Sequence, residues 1–293
     1  MTTATAPPPA AGVWGSIWRG LTHSTSGFVG LCLVIGVLLF SFVGPLVVDT
    51  DNPTDVSLIW GPVNAEHWLG TNHEGKDTFV QLVLGGREPI WVGVLAAVIT
   101  VAIAVVLGGI AGYVRGRVDH LLLQLTDITM TIPFIVLMLV VASFYRTASP
   151  MVVALIIGLV TWPHLMRSIR AQVLSLRERE FVEAARLQDL GTARILFVEV
   201  MPNMAGYVFV NFIIAITNAI YAVVGMYLLG LLPSTADNWG LMIQQAWNNN
   251  AFLLPTAMPF LIAPMVMIML FQIGLVTMTR SLEQALNPRL RDR

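Results

Sequence analysis

Residues 89–114 read PIWVGVLAAVITVAIAVVLGGIAGYV, 26 consecutive residues without a charged side chain. At 1.5 Å per residue such a run makes a helix of roughly 39 Å, longer than the ~30 Å hydrocarbon core of a bilayer. In lipid the backbone has no water to bond to, and a helix satisfies its own N–H and C=O groups. The run is therefore read as a membrane-spanning helix. Working outward from it, residues 27–48, 149–166, 204–232 and 251–279 repeat the pattern, and 121–145 does so with Asp127 as its one interruption. The reading is an all-α polytopic membrane protein with six transmembrane helices.

Composition agrees. The 293 residues are 56% hydrophobic and 11% charged, where soluble domains average about 25% charged. A net charge of −1 gives no footprint for a nucleic-acid partner. The single cysteine, Cys32, lies within an apolar run and excludes disulfides and cysteine metal sites. The Pro-rich residues 1–26 are expected to form a flexible cytoplasmic segment rather than a cleavable signal peptide, with Trp14, Ile17 and Trp18 on a short interfacial helix.

With the N-terminus inside, segments 1–26, 114–120, 167–203 and 280–293 hold 13 of the 16 basic residues. Lys76, Arg87 and Arg146 remain outside, while acidic residues divide evenly, 8 and 8. A bias in basic residues alone is the positive-inside pattern and places both termini in the cytoplasm. The divisions are then a first helix (27–48), an extracytoplasmic loop (49–88), a core of five helices (89–279) containing a cytoplasmic loop (167–203), and a tail (280–293).

The outer loop contains GTNHEGKDT, residues 70–78, one residue short of a phosphate-binding loop, with Asp77 where Ser or Thr belongs. No buried strand precedes it, and the charge bias puts it away from cytosolic nucleotide. The expected roles are conformational: Gly70 and Gly75 shape turns, and Asp77 caps a helix carrying Val80, Leu82 and Val83. His67 and His73 with Glu66, Glu74 and Asp77 fit no metal-ligand spacing and read as a polar surface.

The inner loop reads RSIRAQVLSLREREFVEAARLQDLGTARILFVEVMPN, with 11 charged residues among 37. Ser175 and Glu178 have capping-box spacing, so a helix is expected to start there. Phe181, Ala184, Ala185 and Gln188 share one face at helical spacing. Gly191 is expected to end the helix in a left-handed conformation, Thr192 to cap a second one, and Pro202 to mark re-entry into the membrane.

EAARLQDLG…MPN resembles the EAA loop of permease subunits of bacterial ABC importers. Glu183, Ala184 and Ala185 match the triplet, and Pro202, 19 residues after Glu183, matches the family proline. The family glycine falls at Asp189 here, and Gly191 stands two residues later. The likeness continues in HWLGTNHEGKDTFVQLVLGGREPIWVG, in the D-x5-P of DITMTIP (127–133), in GMYLLGLLPSTADNWGLMI from Gly225 and in ALNPRLRDR. Together these resemble the C-type permease of the dipeptide/oligopeptide importer family, whose members also carry nickel chelates or oligosaccharides.

That resemblance implies a fold of the type I importer kind, a homologous second permease, two ABC ATPases and an extracytoplasmic binding protein. ATP and Mg would bind to the ATPases, with no cofactor and no covalent chemistry on this chain. Glu183, Ala184, Ala185, Asp189, Gly191 and Pro202 would form the ATPase-coupling loop, and Gly70, Lys76 and Asp77 would lie on the surface meeting the binding protein. Peptides are the expected cargo.

Several intramembrane residues stay open between structural and path roles. Asp127 is satisfied by Arg115, by Arg117 or by a polar neighbour in the bundle, or it serves a gate or path. Asn211, Asn218 and Tyr221 face a translocation path or bond between helices. Pro133, Pro163, Pro255, Pro259 and Pro264 kink helices, the methionines of the last helix pack adaptably, and Trp239 and Trp247 sit at the outer interface. An ion-coupled secondary transporter would need paired halves and more intramembrane charge than Asp127. A membrane enzyme would need clustered His, Asp or Glu in or near the helices.

Overall fold

A computed structural model describes Thr22 and residues 24–144, 149–232 and 237–286. The expected interfacial helix at Trp14–Trp18 and the C-terminal resemblance lie outside these residues. Ten helices carry the architecture: α1 (Thr25–Phe42), α2 (Thr78–Leu84), α3 (Arg87–Val114), α4 (Gly116–Thr131), α5 (Phe134–Phe144), α6 (Pro150–Leu176), α7 (Glu180–Leu187), α8 (Ala205–Leu228), α9 (Trp239–Asn248) and α10 (Met258–Leu286). Among the described residues, five helical spans are long and apolar enough to cross a membrane, and α4 with α5, taken as one bent pair, makes a sixth.

The third span is broken where a single helix was expected. Pro133 has no N–H to donate, and its ring disfavours helical geometry at the preceding residue. Ile132 is accordingly extended, with φ −83° and ψ 117°, and the axis turns by 74° between α4 and α5. Pro163 and Pro264, by contrast, lie within continuous helices. The helix at the inner loop also differs from expectation: α6 runs on to Leu176, so Ser175 is an exposed residue in its last turn and no capping box forms.

Packing is organised around α3. Along its length it lies against α6, and on another face it meets α8. A Cβ on Gly108 would stand 2.6 Å from the Met166 carbonyl oxygen, and one on Gly112 would stand 2.8 Å from that of Arg170. With Ala104, which is fully buried, these residues recur every four positions and let two membrane helices approach backbone to backbone. At the other end of α3, Val92 and Ala96 join Ile157 and Val223 in a second core. The third core gathers α1, α8, α9 and α10, and Ser24, the N-cap of α1, and Ser26 within it bond to Ser281 of α10 at 2.9 and 3.0 Å.

Trp239 departs from its expected interfacial position. It is 1% exposed, and its indole N–H donates to the Leu82 carbonyl at 2.8 Å, fixing α9 against α2. Trp247 is exposed.

The close approach predicts a sharp asymmetry between two glycines. Overpacking a core costs ~1–3 kcal/mol or more, so Gly108→Val should lower the melting temperature and detergent-soluble yield of the protein. Gly36→Ala in α1, where a Cβ meets nothing within 4 Å, should leave both unchanged.

Candidate functional site

The inner loop is built on α7, and α7 is held by its buried face. Val182 and Ala185 are 0% and 5% exposed and join Val173, Ile195, Leu196 and Val200 in one core. The expected small-residue face is therefore divided. Ala185 is turned inward with Phe181 partly buried, while Ala184 and Gln188 are exposed. Glu183, Ala184 and Leu187 form the outward edge, and Leu187 is 84% exposed. Sequence reasoning missed Leu187. The i, i+3 spacing of Val182 and Ala185, which turns position 187 outward, was the available signal.

The end of α7 corrects the expected turn. Asp189, not Gly191, is left-handed, with φ 54°. Its N–H donates to the Arg186 carbonyl at 2.9 Å, and the Leu190 N–H donates to that of Ala185 at 3.3 Å. These are the two bonds of a Schellman motif, which satisfies carbonyls left free at a helix end. Asp is among the few non-glycine residues that tolerate this conformation. Gly191 has φ −61° and ψ 149° and precedes the Thr192–Arg194 turn, so Thr192 starts that turn rather than capping it. The turn thus falls where the family's glycine falls, with Asp in its place. Pro202 lies in the first positions of the short Met201–Asn203 helix that leads to α8.

Three arginines, Arg167 and Arg170 on α6 and Arg177 at its C-cap, connect this loop to α3 and α4. Arg177 donates to the Tyr113 carbonyl at 2.8 Å, and the guanidinium groups of Arg177 and Arg186 lie 5.9 and 5.6 Å from the Tyr113 ring centre. Arg170 holds both oxygens of Asp119, at 2.5 and 2.6 Å. Arg167 pairs with Asp127 and donates from Nε to the Thr126 hydroxyl. The partner of Asp127 is therefore Arg167, not Arg115 or Arg117. It lies on a helix distant in sequence, beyond the reach of a local reading.

Asn211 and Asn218 line one cavity of about 500 Å³ at the α4–α5 break. Its other walls are the end of α4, the start of α5 and residues 160–168 of α6. Asp127 and Tyr221 are absent from that lining. Asp127 stands two residues before Thr129, which does line it, and Tyr221 is 54% exposed and lines two apolar grooves. Thr129, Thr161, His164 and Ser168 are polar lining residues that sequence reasoning passed over, because the helix break is what brings α4 and α6 together around them.

In the outer loop, Asp77 caps α2, accepting from the N–H groups of Phe79 and Val80 at 2.7 and 3.1 Å. Its other oxygen bonds to His67 Nδ1 at 2.7 Å. Gly70 and Gly75 have φ +68° and +77°, and a Cβ on Gly75 would overlap the Asp55 carbonyl at 1.7 Å. Buried Asn72 accepts from the N–H groups of Glu74 and Lys76, and its own N–H bonds to the Lys76 carbonyl. The amides of Thr71, Gly75, Asp77 and Thr78 likewise donate within the protein. A phosphate cradle needs such amides free and convergent, and here they are consumed by the turn. Lys76 pairs with Glu74 at 2.7 Å, an attraction that holds the Glu74 carboxyl below its ordinary range.

A comparison with known families matches residues 104–292 to the binding-protein-dependent transport system inner membrane component. The chain belongs to this family: it is a multi-pass membrane component of a bacterial transport system, not an enzyme. Among curated relatives, it is 29% identical to the oligopeptide transport system permease protein OppC of Bacillus subtilis, over 95% of this chain and 90% of that one. Identity to the dipeptide transport system permease protein DppC of the same organism is also 29%, over 94% of this chain and 85% of that one. A putative peptide permease of Brucella suis is 31% identical over 82% of this chain and 80% of its own length.

The Schellman turn generates a test. Glycine relieves the left-handed conformation by roughly 1 kcal/mol and a β-branched residue worsens it. Asp189→Gly should raise hydrogen-exchange protection of the Leu190 amide several-fold and Asp189→Val should lower it, while Gly191→Ala, with open space around it, leaves it unchanged.

Proposed function

We propose that this chain is the C-type permease of an ATP-driven peptide importer. It forms half of the translocation path beside a homologous permease, takes two ATPases on its cytoplasmic side and meets a binding protein outside. The observation that carries this reading is the division of α7. A helix anchored by Val182 and Ala185 and closed at its C-terminal end by the Schellman turn presents Glu183, Ala184 and exposed Leu187 together. A rigid helix with one exposed apolar anchor and flanking charge suits docking into a partner's groove.

The mechanism follows from what α7 is attached to. Closure of the ATPases around ATP pushes on α7. Tyr113, gripped by Arg177 and Arg186, and the Asp119–Arg170 and Asp127–Arg167 pairs make α3, α4 and α6 move with it. The break at Ile132–Pro133 absorbs the displacement, since a junction without helical hydrogen bonds bends at low cost. The cavity beside it, with Asn211 and Asn218, then opens to the outer side and receives cargo. Hydrolysis in the ATPases resets the bundle. Asp127 acts as a strut in this reading, and its neighbours in the cavity form the path.

The positive-inside bias supports a cytoplasmic placement for both termini and for α7. It supports an outer placement for the 49–88 loop, where Gly70, Lys76 and Asp77 would lie under the binding protein. The names of the OppC and DppC relatives support peptide as the cargo, over the oligosaccharides and nickel chelates carried elsewhere in the group.

Truncating an interface anchor costs ~1–2 kcal/mol or more, about tenfold in affinity. Leu187→Ala and Glu183→Ala should each reduce ATPase retention on the purified permease pair about tenfold, with membrane expression intact. Binding-protein-dependent uptake should fall in proportion. Unchanged retention and uptake in both variants would refute the coupling role of α7.

A further inference from the structure

The outer loop is fastened to the helices by two contacts of different chemistry. One is polar. Gln81 of α2 accepts from Asn72 and donates to Asp237, at 3.0 Å each, and Asp77 caps α2 while its second oxygen holds His67. The other is aromatic. The Trp60 ring stands edge-on to Phe260 of α10 with centres 5.9 Å apart. The His73 imidazole lies 6.1 Å from the Trp60 ring and 6.4 Å from Phe260. Phe260 is 1% exposed and belongs to the core of α1, α8, α9 and α10, so this cluster ties the loop to the membrane helices. Trp60 has φ 52°, a left-handed conformation that bulky side chains rarely adopt. Its N–H is bonded to the Asn72 carbonyl at 3.1 Å, and the Thr71 N–H to that of Gly61 at 3.2 Å. These bonds bring Trp60 beside His73, against Phe260.

Of the three rings, only the imidazole gains a charge near neutral pH. Nδ1 of His73 is buried without a hydrogen-bond partner among the described residues, and Nε2 stands 3.8 Å from Glu74. With the proton on Nε2, Nδ1 is a bare acceptor. On protonation both nitrogens become donors, and a buried N–H is left without an acceptor. The surrounding groups offer an imidazolium little. Glu74 is already paired with Lys76 at 2.7 Å, whose ammonium repels a second cation. Asp55 turns its carboxylate to Ser57, and α10 has no charged residue before Arg280. Both ring centres lie beyond the ~6 Å at which an aromatic face holds a cation. Burial accordingly holds His73 below the ordinary imidazole range, against the attraction of Glu74.

We propose that Trp60, His73 and Phe260 form an acid-released latch: protonation of His73 loosens the outer loop from α10 and weakens the loop's hold on the binding protein. A group whose pKa is depressed by folding stabilises the folded arrangement above its free value, here 6.5, and loses that contribution as the pH falls below it. Acid therefore opens the aromatic contact. It leaves the polar one in place, because a protonated His67 brings a charge to the Asp77 carboxylate rather than losing its bond. The latch stands on the loop's own geometry; its effect on a partner rests on reading the loop as the binding protein's docking surface.

The test follows backbone amide exchange in the purified importer complex at about pH 7.5 and about pH 5.5, normalised for the intrinsic pH dependence of exchange. One unit of pKa depression is worth up to tenfold. Protection of the Trp60, Gly61 and Thr71 amides should fall about threefold or more at the lower pH, with that of Phe79 and Val80 unchanged. His73→Leu, which keeps an apolar contact, and His73→Gln, which stays polar and uncharged, should both remove the pH response. No fall in the wild type, or an equal fall in both variants, overturns the latch. Affinity for the binding protein, compared between wild type and His73→Leu so that the binding protein's own titration cancels, should fall with pH by a similar factor in the wild type only. Exchange that responds without a change in affinity removes the docking surface and leaves the latch; exchange that does not respond removes the latch whatever the affinity does.

Discussion

Everything in this molecule that is read as functional depends on the close approach of α3 and α6. Gly108 and Gly112 remove the side chains that would hold these helices apart, and the carbonyls of Met166 and Arg170 fill the space. The hydrophobic effect does not drive helices together in lipid, so the contact relies on packing and on short range. Once α6 is fixed, two of its parts have fixed tasks. Its middle lines the cavity through Thr161, His164 and Ser168, and its C-terminal end delivers the chain to α7. From Ser168 to Leu176 the helix is continuous, so about 12 Å of unbroken helix joins the cavity wall to the end from which α7 follows.

The second constraint is the missing N–H of Pro133. It breaks the third span next to the cavity, and the Asp127–Arg167 and Asp119–Arg170 pairs secure only the segment before the break. The result is a stiff half, α4 with α6, and a hinged half, α5. Ion pairs of this exposure contribute little to stability. Their place between the loop and the cavity, and the forked geometry of Arg170 on Asp119, suit them to holding register.

Much of this was legible in the sequence, and the rest was not for identifiable reasons. Uncharged runs give the spans, because lipid imposes a length and a polarity that any window reveals. The Asp77 cap and the turns at Gly70 and Gly75 were readable because they are local. The break at Pro133 was visible as a proline but not as a 74° bend, since many membrane prolines are absorbed by a continuing helix, as Pro163 and Pro264 are. Position 189 misled for a related reason: left-handed geometry was assigned to the nearest glycine, while the Schellman bonds select the residue that ends α7 and tolerate Asp there. The Arg167–Asp127 pair, the inward turn of Ala185 and the burial of Trp239 depend on which helices meet, and sequence spacing does not encode that.

The central claim is that the outward edge of α7 meets an ATPase in the cytoplasm. Cys32 is the chain's only cysteine, so Leu187→Cys in a Cys32→Ser background offers a single attachment point for a short thiol-directed photocrosslinker in the assembled importer. The account predicts a covalent product with an ATPase subunit, formed when the reagent is supplied from the cytoplasmic face. A product with the extracytoplasmic binding protein, or labelling only from the outer face in a transporting complex, would contradict it.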